Sequence, residues 1–228
     1  MLHELRTPVT AVQGYAEVIQ QQLFGPAPHE YRALAATIAV DAARILAGFE
    51  ELDRLSRLEM GTAAIEAGES DLAALVERTG TQLSQVLAPR MAGISVEIGK
   101  DEPVCISLAS DEAELLVWRI MATLGAGCTV GEILSAELRA EGGSARFVCD
   151  IPSELLASED IFSAEVKPSE TAINAGVFGA GFALRLARAE ARAAGGDLTQ
   201  DTGRITLTIP LIEPIVEAAH EEPPLTKP

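Results

Sequence analysis

The sequence predicts an α+β protein: an N-terminal antiparallel helical hairpin, completed as a four-helix bundle in a dimer, followed by an α/β sandwich. Three observations carry this. Through residues 1–60, apolar residues recur at spacings of three and four, the period of a helix face. After a polar, Gly-containing linker at 61–69, short alternating runs interleave with helical ones through 70–213. Residues 214–228 are acidic and Pro-rich and read as a disordered tail.

The first helix spans about 2–24, with Leu2, Leu5, Val9, Val12, Ala16, Ile19 and Leu23 on one seam. Gly25-Pro26-Ala27-Pro28 is a turn. The second helix carries Tyr31, Leu34, Ile38, Ala42, Ile45, Phe49 and Leu52 on one face and ends near Met60-Gly61. A short loop makes the two antiparallel. One hairpin cannot cover both apolar stripes, so two hairpins from two chains are expected to pair. The alternative is that the second domain covers the seam within one chain.

In the second domain, Ser70-Asp71 caps a helix running to about Ala88. Strands are expected at Ile94–Gly99 and Val104–Leu108, and a helix at Asp111–Thr123. Ile133–Ala140 and Ala145–Cys149 form a hairpin about Gly142-Gly143. Residues 151–178 lack clear periodicity. Phe182–Ala194 is a helix closed by Gly195-Gly196, and Leu198–Gln200 and Ile205–Leu211 are the last strands. This alternation suggests helices on one face of a sheet.

Composition narrows the function. The 228 residues carry a formal charge of −17 and are 48% hydrophobic, enough for a core. Such acidity, without a basic stripe, disfavours nucleic acid and anionic membrane surfaces as partners. Cys105, Cys128 and Cys149 are odd in number and sit in apolar stretches, as reduced, buried thiols of a cytoplasmic protein do. No run is long and apolar enough to span a bilayer, and no signal peptide is visible.

The chain opens MLHELRTPVTAV. At 100° per residue, His3 and Thr7 point away from the apolar seam and share one outward face, with Glu4 beside them. A zinc-protease reading fails, because the fifth place of His-Glu-x-x-His is Thr7. His29 and His220 sit in unrelated contexts, and no metal site is expected. An imidazole becomes a nucleophile when a base holds its second nitrogen. Glu4 can accept the Nδ1 proton, leaving Nε2 to attack, and Thr7 can orient a water. Pro8 lacks an N–H, so the Glu4 carbonyl loses its helical partner and a bend is expected. The plainer alternative is a solvated helix start with an ordinary surface histidine.

His3-Glu4-Leu5-Arg6-Thr7-Pro8 resembles the H-box of sensor histidine kinases. The resemblance implies that His3 is the phosphorylated residue, that Glu4 assists, and that Thr7 aids dephosphorylation of a response regulator. It also implies a homodimer and a receiver-domain partner. The family's first helix usually begins well upstream, so a fragment, or a kinase that has lost its sensor part, is expected.

The second domain resembles the family's ATP-binding domain in the order of its elements, while its motifs depart. In DEAELLVWRIMATLGAG, aligned from Asp111, the family's two asparagine positions fall on Met121 and Gly125, and neither can ligate Mg²⁺. Arg119 is a weak candidate for a phosphate contact. The adenine-binding Asp-x-Gly-x-Gly becomes Asp150 followed by Pro152 and Glu154. Ile161-Phe162 resembles the apolar F-box. In the Gly-rich loop Gly179 and Gly181 remain and Ala183 replaces the third glycine. Such a loop can present N–H groups to phosphate, or it can be a packing turn. The resemblance therefore implies ATP and Mg²⁺ as cofactors, while the departures argue against both. Autokinase activity is expected to be feeble or absent.

Three readings follow: a phosphotransferase or phosphatase working through His3, which the residues favour; an active ATP-dependent autokinase; and a non-enzymatic dimeric scaffold that docks a regulator or a kinase.

Overall fold

The computed structural model describes residues 2–99, 104–163 and 178–212, with side chains from Glu4 onward. The tail assigned to 214–228 lies outside the described residues.

Helices α1 (Leu2–Gln20) and α2 (His29–Glu59) form the antiparallel hairpin. Buried Ala16, Ala35, Ala42 and Gly48 let the two backbones approach. Helix α1 ends at Gln20, four residues short of the expected end. Gln22 takes a positive φ of 57°, which no helix continues, and its Oε1 accepts a bond from Ala27 N at 3.2 Å. Among the described residues, nothing from the second domain covers the seam. Leu5 and Val12 are 48% exposed and Ile38 47%, because the second domain packs on the C-terminal part of α2 instead. The described part of the second domain thus leaves the seam open, as the dimer expectation requires.

The second domain is an α/β sandwich. Its main sheet has strand order β2-β4-β5-β7-β6, built from β2 (Gly93–Ile98), β4 (Ile133–Glu141), β5 (Ser144–Asp150), β6 (Asp197–Asp201) and β7 (Arg204–Pro210). Strand β2 runs parallel to β4, and the other pairs are antiparallel. Helices α3 (Leu72–Leu87), α4 (Ser110–Ala126) and α6 (Gly179–Ala193) pack together, with α3 against β2 and α6 against β6. Residues of one sheet face, among them Leu134, Leu138, Phe147, Cys149, Leu207 and Ile209, share the core with Leu116, Ile120, Leu124 and Leu184. The alternate residues Arg146, Thr206 and Thr208 lie on the less buried face, the pattern of a sheet covered on one side.

Local chemistry sets the boundaries. Asp71 Oδ1 accepts from Ala73 N at 2.9 Å and Ala74 N at 3.4 Å, capping α3. Gly142 and Gly143, at φ 58° and 78°, make the tight turn between β4 and β5. The strand expected over Val104–Leu108 is only β3 (Cys105–Ile106), paired outside the main sheet with β1 (Ser70–Asp71). It stops because Leu108 N turns back to Ile106 O, while Leu108 O accepts from Ser70 Oγ. Within the stretch 151–178, a short helix α5 (Ser153–Leu156) appears.

Candidate functional site

The H-box lies on the first two turns of α1. The helix is continuous through Pro8, so positions 3 and 7 stand one turn apart and position 4 adjoins them. Glu4 and Thr7 are exposed. Thr10 Oγ1 donates to Arg6 O at 3.0 Å, adding a side-chain bond across the turn that contains Pro8.

The proposed nucleotide residues sit elsewhere and are not gathered with this turn. Met121 is fully buried in the core, and Gly125 faces α3. A Cβ on Gly125 would meet Leu87 Cδ1 at 3.1 Å and Ile94 Cδ1 at 3.9 Å. These positions hold packing atoms where Mg²⁺ would need oxygen, so the residues present do not fit the metal. Asp150 alternates with core-facing Cys149 and Phe147. Its Oδ1 accepts from Arg204 Nε at 3.1 Å, and its Oδ2 from Ser135 N at 3.1 Å. Both carboxylate oxygens are thus engaged within the sheet. Gly179, at φ 82°, and Gly181 are buried at the start of α6, where the rings of Phe178 and Phe182 pack 4.7 Å apart. Ile161 and Phe162 are buried, with the Arg188 guanidinium 4.8 Å from the Phe162 ring centroid. The segment 164–177, between these motifs, lies outside the described residues.

Arg119 does not stand ready for phosphate. Its Nη1 donates to Glu51 at 2.6 Å and its Nε to Glu190 at 3.3 Å. Glu190 also accepts from Arg54 Nε at 2.7 Å, and Arg54 bonds Glu112 through its other nitrogens. Burial works against the Arg54 charge, but the Glu112 hydrogen bond and the Glu190 charge more than offset it and raise its pKa. This network ties α2 to α4 and α6, and sequence reasoning missed it. The available signal was a glutamate within the apolar stripe Leu184, Ala187, Ala191 of α6. Nearby, a cleft of about 810 Å³ opens between the end of α2 and α6. Its arginines are compensated: Arg185 by Glu59, and Arg188 and Arg192 by Asp197.

All three cysteines are free. Cys128 and Cys149 are buried as expected, whereas Cys105, on β3, is only half-buried. Burial pushes the Cys128 thiol up to about 11 and the Cys149 thiol higher still. Among the described residues no helix is long and apolar enough to cross a membrane.

Residues 1–61, the hairpin with its H-box turn, match the model of the His Kinase A (phospho-acceptor) domain. Over these residues the chain is similar to the phospho-acceptor domain of histidine kinases. Full-length ShkA in complex with AMPPNP superposes with a TM-score of 0.69 at 20% identity, over 92% of this chain and 44% of that one. The Acinetobacter baumannii histidine kinase AdeS gives a TM-score of 0.59 at 19% identity, over 92% of this chain and 98% of AdeS. At such identities these two matches speak for a shared fold. In sequence, the chain is 24% identical over 122 residues to histidine protein kinase DivJ of Caulobacter vibrioides. That match covers 49% of this chain and 20% of DivJ, so the chain aligns with about one fifth of its curated relative.

Proposed function

We propose that this chain carries a phosphoryl group on His3 and exchanges it with, or removes it from, the receiver-domain aspartate of a response regulator. One contrast carries the reading. The phosphoacceptor helix keeps His3, Glu4 and Thr7 within one turn, while the positions of the family's Mg²⁺ asparagines are filled by Met121 and by Gly125 packed on Leu87. In the forward step, neutral Nε2 of His3 attacks the aspartyl phosphate. An N–P bond forms, the acyl P–O bond breaks, and the aspartate carboxylate leaves. Glu4 accepts the Nδ1 proton's hydrogen bond and offsets the positive charge that develops on the ring. In the hydrolytic branch, Thr7 orients a water onto the aspartyl phosphate, and inorganic phosphate leaves.

A homodimer belongs to this reading. Leu5, Val12, Ile19, Leu34 and Ile38 form exposed apolar stripes on both helices of a single hairpin, and a second hairpin would cover them. An autokinase would need Asp150, Gly179 and Gly181 to hold ATP without a metal ligand at 121 or 125. The bonds of Asp150 to Arg204 and Ser135 weigh against it. A pure scaffold would have no use for a His-Glu-x-x-Thr turn.

The test is transfer from a receiver domain phosphorylated with radiolabelled acetyl phosphate. Acid-labile label should appear on the wild-type chain and not on His3→Ala. Label that still appears on the variant assigns the phosphate elsewhere and refutes the proposal.

A further inference from the structure

The ion network between hairpin and sandwich is more than a surface decoration. Glu190 is 2% exposed, although it is a carboxylate on a helix whose neighbouring inward residues are Leu184, Ala187 and Ala191. A buried charge persists only when paired and hydrogen-bonded. Each of its oxygens has a guanidinium from a different element: Oε1 takes Arg54 Nε of α2 at 2.7 Å, and Oε2 takes Arg119 Nε of α4 at 3.3 Å. Arg54 also meets Glu112 of α4, and Arg119 reaches back to Glu51 of α2 at 2.6 Å. The pairs therefore cross the seam in both directions. Undocking would expose or orphan all five charges together.

The place of the network matters. In an antiparallel hairpin the first residues of α1 lie opposite the C-terminal half of α2. At about 1.5 Å of rise per residue, Glu51 and Arg54 stand roughly one to two turns beyond the level of His3.

We propose that Glu190 is a positioning residue: through Arg54 and Arg119 it fixes the second domain beside the His3 end of the hairpin, so that the partner of His3 meets one rigid surface built from both halves of the chain. The partner clause rests on the phosphotransfer reading above; the fixed docking does not. A desolvated charge clamp resists screening by salt better than the exposed Glu59–Arg185 pair at its rim.

The experiment is a pulsed dipolar distance measurement on the full chain. Spin labels go at Ser56→Cys and Arg139→Cys in a Cys105→Ser background, diluted with unlabelled chain so that only distances within a chain are read. One narrow distance is expected, unchanged up to 0.3 M NaCl. Glu190→Gln, or Arg54→Glu should the first variant fail to fold, is expected to broaden it severalfold. The same variants should raise KM for a phosphorylated receiver at least fivefold while His3 phosphorylation by phosphoramidate stays within twofold. A broad distance in the parent chain, or a narrow one in both variants, overturns the positioning role. Broadening with an unchanged KM overturns the shared surface. Broadening in a chain that takes no phosphate on His3 from either donor supports the clamp and refutes the phosphotransfer reading instead.

Discussion

Leu87 occupies the space beside Gly125: its Cδ1 would lie 3.1 Å from a Cβ built there. The resemblance would put an Mg²⁺ asparagine at this helix position, whereas Gly125 lets α4 close on Leu87 of α3. Titration calorimetry with ATP should show no Mg²⁺-dependent binding. Returning asparagine at Met121 and Gly125 should not create it. Each substitution should instead cost about 2–4 kcal/mol of stability, by burying an unpaired amide or overpacking against Leu87. Metal-dependent heat in the parent chain would restore the autokinase reading.

Thr7→Ala should separate two activities. Regulator dephosphorylation should slow on the order of 10–100-fold, since a positioned water is lost. Transfer between His3 and the receiver should stay within about twofold, because the hydroxyl takes no part in the N–P bond. Equal loss of both would undercut the water-orienting role.

Light scattering should give a dimer. Val12 is 48% exposed and Ile19 46% in the single chain, and both lie on the seam that a second hairpin would cover. Val12→Glu or Ile19→Glu would bury an unpaired carboxylate there. Each should weaken dimerisation by about 3 kcal/mol, roughly 100-fold in dissociation constant. A parent chain that is monomeric at high concentration contradicts the bundle.

Acid should destabilise the sandwich through Glu132 and Asp197. Burial alone would raise both carboxyl pKa values. For Glu132, bonds from the backbone N–H and hydroxyl groups of Thr129 and Ser153 outweigh it; for Asp197, bonds from Arg192, Leu198 N and Arg188 do so. Both folded-state values are thus depressed. The stability they contribute is present above their unfolded values and is lost as pH falls through the lower folded ones. Thermal melts between pH 6 and 2.5 should show Glu132→Gln and Asp197→Asn with a flatter acid limb than the parent. A limb of unchanged slope would remove these two groups as its cause.

Much of this fold was legible in the sequence because its signals are local. The period of α1 and α2, the Asp71 cap and the Gly142-Gly143 turn depend on neighbours within a few residues. So does the spacing of His3, Glu4 and Thr7 on one helix. Two of the misses have a long-range cause. Alternation alone extended β3 to Leu108, where a bond from Ser70, 38 residues away, helps to end it. Helix α1 was carried to about residue 24, although the backbone already turns at Gln22. Arg119 read as a candidate for a phosphate contact because its partners, Glu51 and Glu190, lie 68 and 71 residues distant.

By itself, then, the sequence determined the helical hairpin and the grouping of His3, Glu4 and Thr7 within one helical turn, since residue type and short-range spacing suffice for each. Only the tertiary structure decided that Met121 and Gly125 became core, that Asp150 is tied to Arg204, and that Glu190 joins the sandwich to α2. Those outcomes depend on which side chains meet across the chain, 54 residues apart for Asp150 and Arg204 and 136 for Arg54 and Glu190, and burial and charge pairing act on contacts that no local pattern records.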